Sequence, residues 1–493
     1  MSTHYVIVGG GVAGFRAAKE LRRAQESAQI TVFSEERYPF YLRRQLGDLL
    51  AGNLTAGELV VQSRNAYRRE RIDLFLMTRV VRVEPPAHEV VLDSGQRVQY
   101  DRLLIATGTR AVPLAIPGSE LEGVVTVDTL AAAIALERVL AAASRVVVLD
   151  EGVIGLRLAE ALASRGLEVT LLAAGERLWP TMLDASASAL VEAILKDSGV
   201  AIRRGAARAI VGAGSRAIGV ETAEGEVLAA EAVISGGIRR PAIDILEGSG
   251  IEVHRGIRVD AALRASAPDV FAAGDVADPV TPSAWGPEEH PLCWQRAWSQ
   301  GGVAAASMRD RPADRTADIV RTRTILYGHD LAVIGRGHLE EGGGIEAICR
   351  LAQAPAEDAA PREDDRGEGE PDLPRREPAS RVHTYRRLVF DEGRLVGAVL
   401  FGPAEWYPQV VRMIADRAPR EVVEHTLGLS GQPASPDVVP QSFAQHCPIC
   451  AAELVVHHGT PLGAVIPCGA CRSHLKVCWD GKRGWLEATG GGE

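Results

Sequence analysis

The sequence predicts an α/β protein with two three-layer domains, each built on a parallel sheet, followed by an α+β domain and a small four-cysteine module. Three observations lead to this prediction. A glycine-containing turn joins a strand to a helix near residue 9 and again near residue 150, and two C-x-x-C pairs lie close to the C-terminus. The chain has 493 residues, and single hydrophobic cores stop growing at about 250 to 300 residues. We therefore expect three or four domains.

The first glycine turn follows a short apolar strand and opens a helix. Gly9, Gly11 and Gly14 form the pattern G-x-G-x-x-G, in which two glycines let the backbone approach a pyrophosphate and the third lets helix and strand pack closely. The amides at the start of the helix, at Val12 and Ala13, would face that anion, which the helix dipole also favours. The turn predicts a Rossmann-like nucleotide-binding domain.

Two further motifs lie far downstream, and each directly follows an apolar strand. Their order along the chain is typical of flavoproteins, so the three motifs together predict an FAD site. The first motif is Ala106, Thr107 and Gly108, after the strand 103–105, and the second is Gly274 and Asp275, after the strand 270–273.

Several side chains are predicted to contact this cofactor. Glu35, just past the second strand, can accept hydrogen bonds from the adenosine ribose, and Asp275 can accept them from the ribityl chain. Arg43 can add a charge-assisted contact to a phosphate, and Val80 completes the predicted set. The alternative for Glu35 and Arg43 is that both are solvated surface charges.

These motifs together resemble the pyridine nucleotide-disulfide oxidoreductase superfamily, and within it the FAD/NAD-dependent reductases similar to rubredoxin reductase and the flavin module of assimilatory nitrite reductase. The resemblance covers roughly residues 1 to 310 and weakens toward residue 420. It implies an FAD-dependent oxidoreductase that takes electrons from NAD(P)H. The segments that carry it are VIVGGGVAG (6–14), YPFYLRRQLGDLLAG (38–52), YDRLLIATG (100–108), APDVFAAGDVAD (267–278) and SQGGVAAASM (299–308).

The order of the motifs implies that one nucleotide-binding domain is inserted into another. The segment 353–381 is rich in Pro, Glu, Asp and Arg and buries too little apolar surface to order itself, so it is predicted to be a disordered insertion at a hairpin tip. The predicted domains are an FAD-binding domain (1–110 and 236–312), an NAD(P)-binding-like domain (111–235), an α+β domain (313–430) and a zinc-ribbon-like module (444–485).

The second glycine turn departs from the family pattern. Asp150 stands where the first glycine is expected, followed by Glu151, while Gly152 and Gly155 are retained. Two carboxylates beside a pyrophosphate would cost roughly 2 to 4 kcal/mol in repulsion at an effective dielectric constant of about 20. Residues 173 and 174, where an acidic or basic group would select NAD or NADP, are both alanine. Two interpretations stay open: the NAD(P)H site is weakened or lost, or NAD(P)H still binds through the two glycines.

No cysteine precedes Cys293. Family members that reduce disulfides carry a cysteine pair beside the flavin, and the thiolate is the nucleophile in that chemistry. Without it, electrons are expected to leave the flavin for a separate acceptor: a protein, a quinone or dioxygen.

The C-terminal cysteines form the second strong motif. Cys447, Cys450, Cys468 and Cys471 match C-x2-C-x17-C-x2-C, the spacing of a structural zinc site. Such a site can supply on the order of 10 kcal/mol toward the folding of a small module. Four thiolates also suit iron, as in rubredoxin, but the spacing is short for a rubredoxin, and zinc is therefore favoured.

Composition excludes several classes of protein. The formal net charge of −10 argues against a nucleic-acid-binding surface. The sequence has no run of 18 apolar residues, and it opens on a strand rather than a signal peptide, so we expect a cytoplasmic protein without a membrane span.

Two functions remain open: a reductase that passes electrons from NAD(P)H to a protein partner, and an FAD-binding subunit of a larger complex that docks through its zinc ribbon. A homodimer is compatible with both.

Overall fold

The computed structural model describes residues 2–279, 294–312, 321–337, 339, 345–355, 381–402 and 406–429, together with the C-terminal segments 443–446, 453–456, 460, 465–468, 474–479 and 484–488. The helices are α1 (Val12–Ala24), α2 (Leu46–Leu50), α3 (Arg64–Arg69), α4 (Leu130–Leu140), α5 (Val153–Ser164), α6 (Ala185–Asp197), α7 (Trp294–Ser307), α8 (Tyr407–Ala415) and α9 (Arg420–Thr426).

The strands from the N-terminus to residue 279 are β1 (His4–Val8), β2 (Gln29–Ser34), β3 (Asp73–Leu76), β4 (Val80–Glu84), β5 (Glu89–Leu92), β6 (Arg97–Gln99), β7 (Arg102–Ile105), β8 (Thr109–Val112), β9 (Val124–Thr126), β10 (Arg145–Leu149), β11 (Glu168–Ala173), β12 (Ala201–Arg204), β13 (Ala207–Ala213), β14 (Arg216–Thr222), β15 (Val227–Ala229), β16 (Ala232–Ser235), β17 (Ile238–Pro241), β18 (Ile257–Val259), β19 (Val270–Ala272) and β20 (Ala277–Pro279). The later strands are β21 (Arg321–Leu326), β22 (His329–Gly335), β23 (Ile345–Pro355), β24 (Arg381–Asp391), β25 (Arg394–Phe401), β26 (Phe443–His446), β27 (Glu453–Val456), β28 (Val465–Pro467), β29 (His474–Trp479) and β30 (Gly484–Ala488).

The described residues form two compact units. The first contains Met1–Glu176 and Leu195–Thr322, and the second contains Arg177–Ile194 and Arg323–Glu493. The segment 177–194, predicted to belong to the NAD(P)-binding-like domain, therefore groups with the C-terminal part of the chain.

The first unit contains two five-stranded sheets. One has the strand order β19-β7-β1-β2-β3 and the other β12-β11-β10-β16-β9, and the neighbouring strands of both are parallel. Val6 and Ile7 in the central strand β1 are both 0% exposed. Parallel strands covered on both faces read as continuous apolar runs, which is why the sequence revealed them. The predicted pair of parallel α/β sheets is confirmed.

Two strands connect these sheets. β8 and β17 pair antiparallel, with Thr109 opposite Pro241 and Val112 opposite Ile238. The chain leaves the first sheet through β8 and returns through β17, as the predicted insertion of one domain into another requires. Each sheet also has a three-stranded antiparallel companion, β4-β5-β6 and β13-β14-β15.

The second unit contains a five-stranded sheet with the order β21-β22-β25-β24-β23. β23 and β24 pair from Ile345 opposite Asp391 to Pro355 opposite Arg381. The predicted insertion 353–381 is therefore too long at both ends, because residues 353–355 and 381 belong to paired strands. Residues 356–380 lie outside the described part of the chain. Within the described residues, no helix has the length and apolar character needed to cross a membrane.

A buried carboxylate ties the segment 177–194 to the sheet of the second unit. The Tyr385 hydroxyl lies 3.1 Å from both carboxylate oxygens of Asp184, and the Arg387 guanidinium lies 3.6 Å from the same carboxylate. Asp184 also accepts hydrogen bonds from the amides of Ser186 and Ala187, at 2.9 and 3.0 Å. Asp184 and Tyr385 are each 1% exposed, so this contact is shielded from water.

We expect Tyr385→Phe to lower the free energy of unfolding by about 1.5 to 3 kcal/mol, the range for hydrogen bonds to charged groups. Chemical denaturation measures this change. Val422→Ala is the matched control because Val422 is 49% exposed, and it should change stability by no more than about 0.5 kcal/mol. Equal stability of Tyr385→Phe and the wild type would contradict the anchoring role.

Candidate cofactor site

The first glycine turn is held by backbone contacts that leave no room for side chains. Gly9 has a φ of +119°, and a Cβ on Gly9 would lie 2.1 Å from the carbonyl oxygen of Ala106. A Cβ on Gly14 would lie 2.0 Å from the carbonyl oxygen of Gly9. These contacts bring the start of α1 against the ends of β1 and β7, as predicted for the first and third glycines of the motif.

Gly11 is different, because among the described residues a Cβ on it would have no atom within 4 Å apart from those of its chain neighbours. It is the N-cap of α1, where no side chain caps the helix and the first turn carries no acidic residue. The amide groups at the start of a helix need acceptors. Gly11, Val12 and Ala13 therefore present open space and backbone donors, which is what a pyrophosphate requires.

The other two predicted motifs reach the same edge of the sheet. The Ala106 amide donates to Val8 at 2.7 Å, and the Ala273 amide donates to Ile105 at 3.1 Å. The ends of β1, β7 and β19 thus lie side by side. Thr107 donates through its hydroxyl to the Ala242 carbonyl at 2.8 Å, and Gly108 has a φ of +66°.

Helix α7 supports this edge, and sequence reasoning did not assign it a functional role. The Gly274 amide donates to Gln300 Oε1 at 2.8 Å, and Gly274 precedes the half-buried Asp275. A Cβ on Gly301 would lie 2.5 Å from the carbonyl oxygen of Ala13, so α7 packs directly against the first turn of α1. The small residues in SQGGVAAASM were the available signal for this packing.

Sequence reasoning also missed two tryptophans of α7 and the arginines that contact them. The rings of Trp294 and Trp298 stack with centroids 5.3 Å apart. The Arg44 guanidinium lies 4.1 Å from the Trp294 ring centre, and that of Arg16 lies 4.7 Å from Trp298. These cation–π contacts join α7 to α1 and to the segment that precedes α2.

Glu35 lies just beyond β2 and is engaged by arginines. Its carboxylate accepts a hydrogen bond from Arg110 at 2.9 Å and lies 3.8 Å from Arg79 Nε. Arg110 also donates to Asp244 at 2.6 Å. The neighbouring Val80 is 3% exposed, at the start of β4. Glu35 is 47% exposed, so it can exchange these contacts for a ribose hydroxyl.

Arg43 is held by two carboxylates. It pairs with Glu36 and lies 3.3 Å from Asp128 Oδ1. Asp128 also binds Arg239 and accepts the amide of Ala111 at 3.2 Å. Burial alone would raise the pKa of the Asp128 carboxyl, but Arg239 and Arg43 hold it below its usual value. A phosphate would therefore compete with carboxylates for Arg43.

The second glycine turn repeats the backbone packing of the first. A Cβ on Gly155 would lie 1.8 Å from the carbonyl oxygen of Asp150. The Asp150 carboxylate accepts the amides of Gly152 and Gly155 at 2.7 and 2.9 Å. The turn therefore differs from the first in having an acceptor supplied by the chain itself.

A buried ion-pair network joins α2 to α5 beyond this turn. Arg157 Nη2 lies 3.3 Å from both oxygens of Asp48, and the same guanidinium binds Glu160. The side chains of Asp48 and Glu160 are each 2% exposed. Removing one partner of such a pair typically costs about 3 to 5 kcal/mol, so the network fixes α5 against α2.

The predicted metal ligands are mostly outside the described residues. Cys468 is described and is 1% exposed, whereas Cys447, Cys450 and Cys471 lie outside the described segments. Within those segments, no group of three or more His, Cys, Asp or Glu side chains is arranged to hold a metal ion.

Comparison with known proteins identifies the family. The family model for pyridine nucleotide-disulphide oxidoreductases matches residues 3–301, more than half of the chain. The chain belongs to this family. The resemblance predicted from the motifs is therefore confirmed, and the protein is an oxidoreductase.

Two curated relatives place the chain within the family, and one solved structure shows its fold. It is 31% identical over 349 residues to the ferredoxin–NAD(+) reductase component of the biphenyl dioxygenase system of Paraburkholderia xenovorans (strain LB400), covering 71% of this chain and 84% of that protein. It is also 31% identical over 274 residues to the rubredoxin–NAD(+) reductase of Pseudomonas putida, covering 55% and 71%. The crystal structure of a covalent putidaredoxin reductase–putidaredoxin complex matches with a TM-score of 0.73 and 24% identity, covering 88% of this chain and 97% of that chain, which shows the shared fold.

Two alanine substitutions should separate folding from cofactor binding. Gly14→Ala places a methyl group 2.0 Å from a backbone oxygen and is expected to destabilise the protein by at least about 3 kcal/mol, at the upper end of overpacking effects.

Gly11→Ala has room in the protein and should fold normally. Its methyl group enters the space of the pyrophosphate, so its FAD dissociation constant should rise at least about tenfold, or ~1.4 kcal/mol, in a fluorescence titration. Unchanged FAD affinity in Gly11→Ala would contradict the assigned site.

Proposed function

We propose that the chain is an FAD-dependent reductase that passes electrons from NAD(P)H to a separate protein acceptor. The observation that carries this proposal is the open turn at Gly11, which lies on the same sheet edge as Ala106–Gly108 and Gly274–Asp275. The chemistry that FAD supplies when bound is acceptance of a hydride and release of electrons to a one-electron carrier.

The residues of the first unit fit FAD. The amides at Gly11, Val12 and Ala13 supply donors for the pyrophosphate. Glu35 is placed beyond β2 to accept the ribose hydroxyls, and Asp275 follows Gly274 at the end of β19 to accept from the ribityl chain. The pyrophosphate side of the turn is open at Gly11, where no atom of the described residues beyond the chain neighbours lies within 4 Å of a Cβ position.

The acceptor is proposed to be a small electron-transfer protein. The first 292 residues contain no cysteine, so the part of the chain that matches the family up to that point supplies no dithiol to receive electrons. The relatives named above are reductases of ferredoxin and rubredoxin. A one-electron carrier protein is the acceptor that both facts favour.

One observation favours a second function, that of an FAD-binding subunit in a larger complex. Asp150 binds the amides of its own turn, which is the behaviour expected of a degenerate NAD(P)H site. In that case the C-terminal cysteine module would serve as the docking element.

The pairing of the C-terminal strands supports a zinc-ribbon-like module. The β26–β27 ladder ends with His446 opposite Glu453, and the β28–β29 ladder ends with Pro467 opposite His474. The stretches of sequence between these paired strands, 447–452 and 468–473, each contain one C-x-x-C pair. We propose that Cys447, Cys450, Cys468 and Cys471 bind one structural zinc ion, which has no redox chemistry.

The electron-transfer proposal is tested by following the flavin under anaerobic conditions. NADH or NADPH should bleach the bound flavin, and the reduced protein should then reduce an added ferredoxin or rubredoxin faster than free FAD at the same concentration. Photochemical reduction supplies the same electrons without a nicotinamide donor. A photoreduced flavoprotein that is oxidised by dioxygen but by no carrier protein would contradict the proposed acceptor class.

Elemental analysis tests the metal assignment. We expect one zinc per chain, lost in Cys468→Ser because a thiolate ligand is removed, with no change in the flavin spectrum. Cys293→Ser is the control and should retain the metal. One iron per chain, with visible bands that bleach when the flavin is reduced, would overturn the zinc assignment and make the module an internal electron carrier.

A further inference from the structure

The two glycine turns of the first unit have the same backbone packing. They differ in what lies against the amides at the start of the helix that follows. At the first turn, Gly11 is open and no side chain caps α1. At the second, Asp150 Oδ1 accepts the Gly152 amide at 2.7 Å and Asp150 Oδ2 accepts the Gly155 amide at 2.9 Å. Of the three amides that correspond to the donors of the first turn, that of Gly152 is therefore already bound to a carboxylate, and so is the amide of Gly155, which corresponds to Gly14.

The Asp150 carboxylate is packed into this place. A Cβ on Gly236, just after β16, would lie 2.0 Å from Asp150 Oδ2, and a Cβ on Gly152 would lie 3.1 Å from Asp150 Oδ1. Burial raises the pKa of the Asp150 carboxyl, and the amides of Gly152 and Gly155 partly offset this effect. The carboxylate thus fills the space between the start of α5 and the end of β16.

The neighbouring carboxylate, that of Glu151, lies beside the end of β11. Glu151 Oε2 accepts the amide of Gly175 at 2.7 Å, and a Cβ on Gly175 would lie 3.1 Å from Glu151 Oε1. Gly175 lies just beyond β11. The end of this second strand is where the fold binds the adenosine ribose of a dinucleotide, so the Glu151 carboxylate is bound to an amide at the place expected for the ribose.

We propose that Asp150 and Glu151 are internal competitors for NAD(P)H, and that they occupy the pyrophosphate and ribose positions of the second nucleotide-binding turn. A dinucleotide must displace both carboxylates before it can bind. This inference rests on the proposed function only in taking NAD(P)H as the electron donor. It makes Asp150 and Glu151 determinants of the affinity for the electron donor.

Occupancy of the turn by the side chain and simple charge repulsion predict different nucleotide affinities for two variants of Asp150. Asp150→Gly frees both amides and removes the side chain. Asp150→Asn removes the charge and fills the same space, but its single oxygen can accept only one of the two amides. Occupancy therefore predicts a gain in affinity for Asp150→Gly and little gain for Asp150→Asn, whereas repulsion alone predicts similar gains for both.

The test is the dissociation constant of NADH and of NADPH, measured by equilibrium dialysis on the oxidised FAD-loaded protein. Asp150→Gly should bind at least about tenfold more tightly than the wild type, since two charge-assisted hydrogen bonds no longer have to be displaced. Glu151→Gly should also tighten binding, and Asp150→Asn should change it less than about threefold. Glu168→Gln is the control, because Glu168 is an exposed carboxylate at the opposite end of β11, and it should bind as the wild type does.

Amide hydrogen exchange gives a second readout that does not depend on catalysis. In the wild-type holoprotein without nucleotide, the amides of Gly152 and Gly155 should exchange slowly. In Asp150→Gly they should exchange faster and become protected again when NADH is added. Equal gains in Asp150→Gly and Asp150→Asn, or unprotected amides in the wild type, would overturn the proposal.

The design also separates this proposal from the proposed function. FAD content and electron transfer from the photochemically reduced protein to a carrier protein do not involve the second turn, so both should be the same in all variants. Loss of FAD binding or of carrier reduction in the wild type would refute the proposed function. The dissociation constants of NADH and NADPH in the variants test the proposed competition by Asp150 and Glu151 independently of that outcome.

Discussion

The candidate site depends on one contact between backbone segments. Gly14 in α1 lies against the carbonyl oxygen of Gly9, and Gly9 lies against that of Ala106. A methyl group at either glycine would lie within about 2 Å of a backbone oxygen. This contact brings the start of α1 to the edge where the ends of β1, β7 and β19 meet. Helix α7 reaches the same edge only because Gly301 can approach Ala13.

The same backbone geometry serves two different purposes in this chain. Gly155 packs on Asp150 as Gly14 packs on Gly9, so the second turn keeps the strand-to-helix corner intact. The difference lies in a side chain, since Asp150 takes the amides that the first turn leaves open. A glycine motif therefore reports how closely a helix and a strand pack, and the ligand is decided by what else lies at the start of the helix.

Sequence reasoning identified the features that depend on local backbone chemistry. Glycine turns, buried parallel strands and the two C-x-x-C pairs have short-range signatures. It predicted repulsion at Asp150, whereas the structure shows hydrogen bonds to the amides of its own turn, because a side-chain rotamer cannot be read from residue types. It also missed the pairing of Arg43 with Asp128, 85 residues away, and the boundaries of the insertion, which are set by strand pairing from Pro355 to Arg381. Contacts between distant segments leave no mark in local composition.

The anchor at Asp184 bears on how shorter forms of this protein can be made. A truncation after residue 312 removes Tyr385 and Arg387 but retains the segment 177–194, so Asp184 loses the partners that shield its charge. An isolated uncompensated carboxylate is costly to bury, and the segment would have to rearrange to expose it. A minimal flavoprotein derived from this chain therefore needs a substitution at Asp184, such as Asp184→Ser, which retains a hydroxyl for the adjacent helix amides without a charge.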